Sequence, residues 1–218
     1  MTATLFNYWR SSASYRVRIA LALVGVTYDH IAVNLAPGMD EQLTDAYHAI
    51  NPQGRVPFFR DGTVELSQSL AIMEYLNETV DGATLLPSDP VERAKVRQIA
   101  HIVAMDMQPV QNLSVLKQLK LQFDASQDDV NTWVRDFLAL GLAAIEDLLT
   151  KTPHTSVYCF GDTPSLADVC LVPQLYNAER FNVDLTSFPT IVKVCAVARA
   201  HPAFVAAHPE NQPDAPAS

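Results

Sequence analysis

Residues 11–25 read SSASYRVRIALALVG, directly after the apolar run TLFNYW at residues 4–9. The apolar run has the length and composition of a strand. The longer stretch has helical spacing: Val17, Ala20, Leu21 and Val24 recur at i, i+3, i+4 and i+7, and Gly25 supplies a stop. A helix start needs one capping hydroxyl. Here Ser11, Ser12 and Ser14 crowd the start, and Arg16 and Arg18 come within the first turns. Surplus donors at a helix N-terminus, where the backbone already favours negative charge, point to a site for an anion.

The alternation of strand and helix continues. YDHIAVNL (28–35) reads as a second strand, and MDEQLTDAYHAIN (39–51) as a weaker helix that ends before Pro52. VPFF, the Asp61-Gly62 turn and TVEL read as a hairpin, and SQSLAIMEYLNETV as another helix. The order βαβαββα predicts an α/β domain with a mixed sheet over residues 1–81. Residues 82–90 are turn-rich and read as a linker. From 91 to 218 no strand signal of comparable strength occurs, which predicts an all-α second domain. Its first helical pattern is interrupted at Gln108-Pro109, where a kink is expected. SLADVCLVPQLYNAERF is apolar almost all round and is expected to be a central buried helix. A last helix is expected over roughly 189–200, and the polar, Pro-rich tail HPENQPDAPAS as a surface strap or a disordered end.

Composition narrows the function. Of 218 residues, 49% are hydrophobic and 18% charged, as in an ordinary globular protein, and no run of about 18 apolar residues predicts a membrane span. The N-terminus lacks the pattern of a secretory signal. Cys159, Cys170 and Cys195 are odd in number and lack metal-ligand spacing, which fits reduced core thiols in a cytoplasmic protein. The net charge of −9 argues against nucleic acid. It also means that an anionic small molecule needs a local positive site.

Four further features are candidates. Val56-Pro57 lies between a loop and a strand; a cis bond there would turn the Val56 backbone out to pair with an extended peptide, whereas a trans bond would make it a plain edge proline. Gln68-Ser69 opens a helix and suits either a carboxylate site or a simple cap. Ser165 and Asp168 have capping-box spacing, with Asp in the Glu/Gln slot, and read as structural. Arg180 lies near the C-terminal end of the buried helix, and Arg10 precedes the serines.

In order along the chain, SSASYRVRIALAL, NPQGRVPFF, SQSLAIMEYL, QPVQNLSVLKQL, GDTPSLADVCLVPQ and NAERFNVDLTSFPTI resemble the zeta class of the glutathione transferases over nearly the whole length. The resemblance implies a thioredoxin-like first domain, an all-α second domain, a homodimer and glutathione as cofactor. It implies that Ser11, Ser12 and Ala13 surround the glutathione sulfur; the class usually has Ser-Ser-Cys there, so Ala13 removes a thiol from beside the nucleophile. It further implies that Val56 pairs with the cysteinyl backbone, that Gln68 and Ser69 hold the γ-glutamyl carboxylate, and that Gln42 lies near the glycyl end. Gln108, Asn112, Leu113 and Ser114 match a stretch of the second domain that closes over the cleft. Arg180 matches an arginine that meets a substrate carboxylate, with Arg10 as a second.

The implied activity is cis–trans isomerisation of a maleyl dicarboxylate, maleylacetoacetate to fumarylacetoacetate in aromatic amino acid breakdown, with maleylpyruvate as the close alternative. A free thiol of pKa about 8.5 is mostly protonated at neutral pH. Lowering it by two units takes about 2.7 kcal/mol of differential stabilisation. A hydrogen bond to a charged group, about 1.5–3 kcal/mol, together with a helix end covers that. Other readings are a conjugating or dehalogenating transferase acting on α-haloacids, and a non-catalytic binding member of the fold. A glutaredoxin-like redox enzyme is disfavoured because no Cys occurs in the first 158 residues.

Overall fold

The computed structural model describes residues 3–151 and 157–216. The chain divides into two compact units, Met1–Leu85 with His201–Ser218, and Leu86–Ala200.

The first unit opens with β1 (Ala3–Asn7), α1 (Ser12–Leu23), β2 (Tyr28–Ala32), α2 (Asp45–His48), β3 (Phe58–Asp61), β4 (Val64–Ser67) and α3 (Ser69–Thr79). This is the βαβαββα order expected. The sheet order is β2-β1-β3-β4, with β1 parallel to β2 and antiparallel to β3, and β3 antiparallel to β4. Leu5, Phe59, Val17, Ile19, Ile72 and Met73 are buried and form the apolar interior of this unit. The weak helix expected over 39–51 is split into a 3₁₀ turn, Glu41–Leu43, and α2, because the Thr44 hydroxyl accepts from Tyr47 N–H and starts a new helix.

The second unit holds α4 (Pro90–His101), a π-helical turn (Ile102–Met107), α5 (Gln108–Val110), α6 (Leu113–Phe123), α7 (Gln127–Lys151), α8 (Leu166–Arg180) and α9 (Pro189–Ala200). The kink expected at Gln108-Pro109 is realised as a wider turn just before the proline, which lacks the N–H that would continue the ladder. α8 is buried on nearly all sides, as its sequence indicates. Asp168 in its first turn is buried and accepts from Ser165 N–H, Ser165 Oγ and Cys159 N–H at 2.8, 2.9 and 2.8 Å. Burial pushes its carboxyl up, and these donors oppose the shift. Glu146 of α7 caps α9 in the same manner, accepting from Thr190 and Ile191 N–H at 2.9 Å each.

Residues 201–216 hold α10 (Pro202–Ala207) and a 3₁₀ turn, Pro209–Asn211, and they belong to the first unit rather than to the helical region assigned over 91–218. α10 packs on α1, where Arg18 Nε donates to Ala207 C=O at 3.1 Å. The tail is thus the strap of the two alternatives. Among the described residues no helix is long and apolar enough to cross a membrane, and no cluster of ligating side chains could hold a metal.

Candidate functional site

Register gathers the candidate residues of the first unit. Phe6 of β1 pairs with Phe58 of β3, which pairs with Ser67 of β4, and Asn7 pairs with Ala32 of β2. The β1–α1 junction, the segment after β2, the lead into β3 and the β4–α3 junction therefore leave the same end of the sheet. Ser11–Ala13, Gln42, Val56 and Gln68–Ser69 all lie on these segments.

At the α1 start, Ser11 is the N-cap; its Oγ accepts from Ser14 N–H at 3.2 Å and its C=O from Tyr15 N–H at 2.8 Å. Ser11 keeps its hydroxyl proton to donate. The Ser12 hydroxyl and the N–H groups of Ser12 and Ala13 have no partner among the described residues. One hydroxyl thus caps, and a second hydroxyl with two amides is left for an anion at the positive end of the helix. Arg10 stacks on Trp9, its guanidinium carbon 5.5 Å from the ring centroid.

Arg16 and Arg18, in the turns that follow, do not form an open cationic surface. Both are buried. Arg18 donates to Asn7 Oδ1, Tyr8 C=O, Trp9 C=O and Ala207 C=O, and burial pushes its pKa down to about 10, so it stays charged at neutral pH. Arg16 Nη1 donates to Ser69 Oγ at 3.2 Å and so supports the second candidate anion site from beneath.

That site is the start of α3. Gln68, its N-cap residue, has φ 72° and ψ 114°, a backbone conformation that costs a non-glycine residue about 1–3 kcal/mol. No side chain caps the helix, so the N–H groups of Ser69, Leu70 and Ala71 are open. Gln68 Nε2 donates to Gln53 Oε1 at 2.7 Å.

Val56-Pro57 is cis. Neither the N–H nor the C=O of Val56 is hydrogen-bonded among the described residues, while its side chain packs against the cluster of Phe6, Val33, Tyr47 and Phe58. The preceding carbonyl is held twice, by Tyr47 Oη at 2.8 Å and Asn51 Nδ2 at 2.6 Å, both donating to Arg55 C=O. Gln42 is buried; its amide donates to Asp40 at 3.4 Å, and its Oε1 has no partner among the described residues.

In the second unit Gln108 Nε2 donates to Asn112 Oδ1 at 2.7 Å. Leu113 and Ser114 are exposed on the first turn of α6, and Ser114 lines an open apolar groove of about 310 Å³ with Trp133 and Phe123. Arg180, exposed at the end of α8, donates to Asn177 Oδ1 and lies 6.0 Å and 5.8 Å from the ring centroids of Tyr176 and Phe181. Asn177 Nδ2 in turn donates to Gln111 Oε1 at 3.1 Å, which ties α8 to the QPVQN segment. Asn51, Tyr47, Asn177 and Gln111 are supports that the sequence alone does not single out.

Family models of the glutathione S-transferase N-terminal domain and C-terminal domain match residues 1–78 and 135–206. The maleylacetoacetate isomerase of Pseudomonas aeruginosa is 49% identical over 215 residues, 98% of this chain and 99% of that protein. The holo structure of a maleylpyruvate isomerase, a bacterial glutathione S-transferase of the zeta class, superimposes with a TM-score of 0.95 at 44% identity, covering 98% of this chain and 100% of that one. A maleylacetoacetate isomerase from Methylobacterium extorquens AM1 with malonate and glutathione bound gives a TM-score of 0.93 at 37% identity, covering 98% of this chain and 100% of that one. The chain belongs to the zeta class of the glutathione transferases.

Proposed function

We propose that the protein is a glutathione-dependent cis–trans isomerase that converts maleylacetoacetate to fumarylacetoacetate. The observation that carries this reading is the unpaired Ser12 hydroxyl, with the unpaired amides of Ser12 and Ala13, at the positive end of α1. These donors fit a thiolate. The open amides of α3 and the Ser69 hydroxyl fit a carboxylate, and the unpaired Val56 N–H and C=O fit an extended peptide. Bound glutathione supplies a sulfur nucleophile that adds reversibly to the cis double bond, lets it rotate, and leaves as the trans isomer forms.

The residues of the chain set up that chemistry. Ser11 and Ser12 donate to the sulfur and, with the amides of Ser12 and Ala13, hold it deprotonated at neutral pH. Ala13 in place of a cysteine leaves these donors intact. Gln68 and Ser69 anchor the γ-glutamyl carboxylate, with Arg16 holding Ser69 in place. Val56 pairs with the cysteinyl backbone, and Gln42 meets the glycyl end. Gln108, Asn112, Leu113 and Ser114 are the residues of the second unit assigned to glutathione. Arg180 binds one substrate carboxylate and Arg10 a second; both stabilise negative charge that develops during addition. Local cations of this kind let a protein of net charge −9 recruit a dianion. The protein acts as a cytoplasmic homodimer.

A second reading, maleylpyruvate as substrate, is favoured by the likeness to the maleylpyruvate isomerase structure. One experiment tests both: a spectrophotometric assay of each substrate with and without glutathione, with total thiol counted at the end. Isomerisation needs glutathione and consumes none. Conjugation or dehalogenation would consume one glutathione per turnover and would overturn the proposal.

A further inference from the structure

The turn that carries Arg10 and the serines is gripped by the far end of the chain. Trp9 N–H donates to Asp214 Oδ2 at 2.9 Å, and Trp9 C=O accepts from Arg18 Nη2 at 2.9 Å. Tyr8 C=O accepts from Ser11 N–H at 3.0 Å and from Arg18 Nη1 at 3.3 Å. Arg18 Nη1 also donates to Asn7 Oδ1 at 3.1 Å, which turns the Asn7 amide nitrogen to His30 Nδ1, 3.4 Å away. With Nδ1 accepting, the proton of neutral His30 sits on Nε2, which stands 3.1 Å from Asp214 Oδ1. The contacts close a circuit through Asp214, Trp9, Arg18, Asn7 and His30.

Asp214 is not the tail's only anchor, since Arg18 also holds Ala207 C=O. Gln212 Nε2 donates to Ala206 C=O and His208 C=O at 3.0 and 2.9 Å, and Phe204, Ala207 and Pro209 are buried. Among the described residues the Asp214 carboxylate contacts Trp9 N–H and His30 Nε2, and its charge also faces Arg18 and Tyr28. We propose that Asp214 is a positioning residue for the serine site: through the backbone of Trp9 it fixes the turn that presents Arg10, Ser11 and Ser12. This rests on the serine site being the thiolate site. A turn free to shift aims the hydroxyls and amides less well, so the bound sulfur holds its proton more tightly, while contacts at Val56 and Ser69 still bind the tripeptide.

The test is an ultraviolet titration of the thiol of glutathione bound to the full chain, with kcat and KM measured over pH. Asp214→Ala raises the bound thiol pKa by about one unit, which lowers the thiolate fraction and kcat roughly three- to eightfold at neutral pH. kcat recovers as pH rises, and glutathione affinity changes less than about threefold. Asp214→Asn keeps an oxygen for Trp9 N–H and retains most of the activity. If Asp214→Ala does not fold, Asp214→Glu, which displaces the carboxylate by one methylene, carries the same expectation. A folded variant whose bound thiol titrates as in the native protein, or equal losses in the Ala and Asn variants, overturns the proposal. The native protein separates the two claims. A native thiol that is not lowered removes the isomerase reading itself, whereas a lowered native thiol indifferent to Asp214 removes only the positioning role.

Discussion

Asn177 holds Arg180: its Oδ1 accepts from Arg180 Nη1 at 3.1 Å while its Nδ2 donates to Gln111 Oε1 at 3.1 Å. An exposed guanidinium on a flexible stem is thereby given an orientation. Arg180→Ala is expected to raise KM for the dicarboxylate by roughly 10–100-fold, the cost of one hydrogen bond to a charged group. Glutathione affinity stays unchanged. Asn177→Ala raises KM in the same direction by a smaller factor. Steady-state kinetics together with glutathione titration calorimetry check this; an equal loss of glutathione affinity would refute the assignment.

Gly141 lies under Met107. A Cβ at position 141 would sit 2.3 Å from Met107 Cγ and 2.4 Å from its Sδ. In an open helix Gly→Ala gains about 1 kcal/mol. Here the overlap reverses the sign, and Gly141→Ala is expected to lose about 1–3 kcal/mol. Adding Met107→Ala should restore part of the loss. Thermal melts of the single and double variants read the coupling, and a stabilised Gly141→Ala would contradict the packing.

Asp168 answers three donors at the head of α8. Asp168→Ala leaves all three without an acceptor in a buried site and is expected to cost about 2–4 kcal/mol. Activity per folded molecule should be preserved. Denaturant midpoints read against kcat of the folded fraction separate the two effects.

His30 gives stability a dependence on acid. Burial, with Arg18 nearby, lowers its pKa from the usual 6.5, and Asp214 only partly opposes this. Below about pH 6.5 the unfolded chain binds a proton that the folded chain refuses. Stability from this residue is therefore complete above that pH and is lost as pH falls. As pH falls below about 6.5, the denaturation midpoint of the native protein should fall more steeply than that of His30→Asn. Parallel slopes would exclude the effect.

The strand and helix order was readable because the apolar spacing of TLFNYW, SYRVRIALAL and SLADVCLVPQ is local, as is the Ser165–Asp168 box. Ser11 as the cap of α1 follows from the same local rule. The burial of Arg16 and Arg18 was not readable: arginine is ordinarily exposed, and these two meet Ser69 and Ala207, 53 and 189 positions away. The same holds for Asp214, whose partner Trp9 is 205 positions distant. Gln68 gave no warning of its positive φ, because such a backbone is imposed by the strand before it and the helix after it rather than by the side chain. The sequence left Val56-Pro57 open between two isomers, and the fold takes the cis form.

All of the chemistry proposed depends on two serines and two amides at the head of α1. Titrating the thiol of glutathione bound to the native protein and to a Ser11→Ala, Ser12→Ala double variant tests this most directly. A thiol one to two units below the free value of about 8.5 is expected in the native complex, and a return toward that value in the variant. A native complex that titrates like free glutathione, or a variant indistinguishable from the native protein, would contradict it.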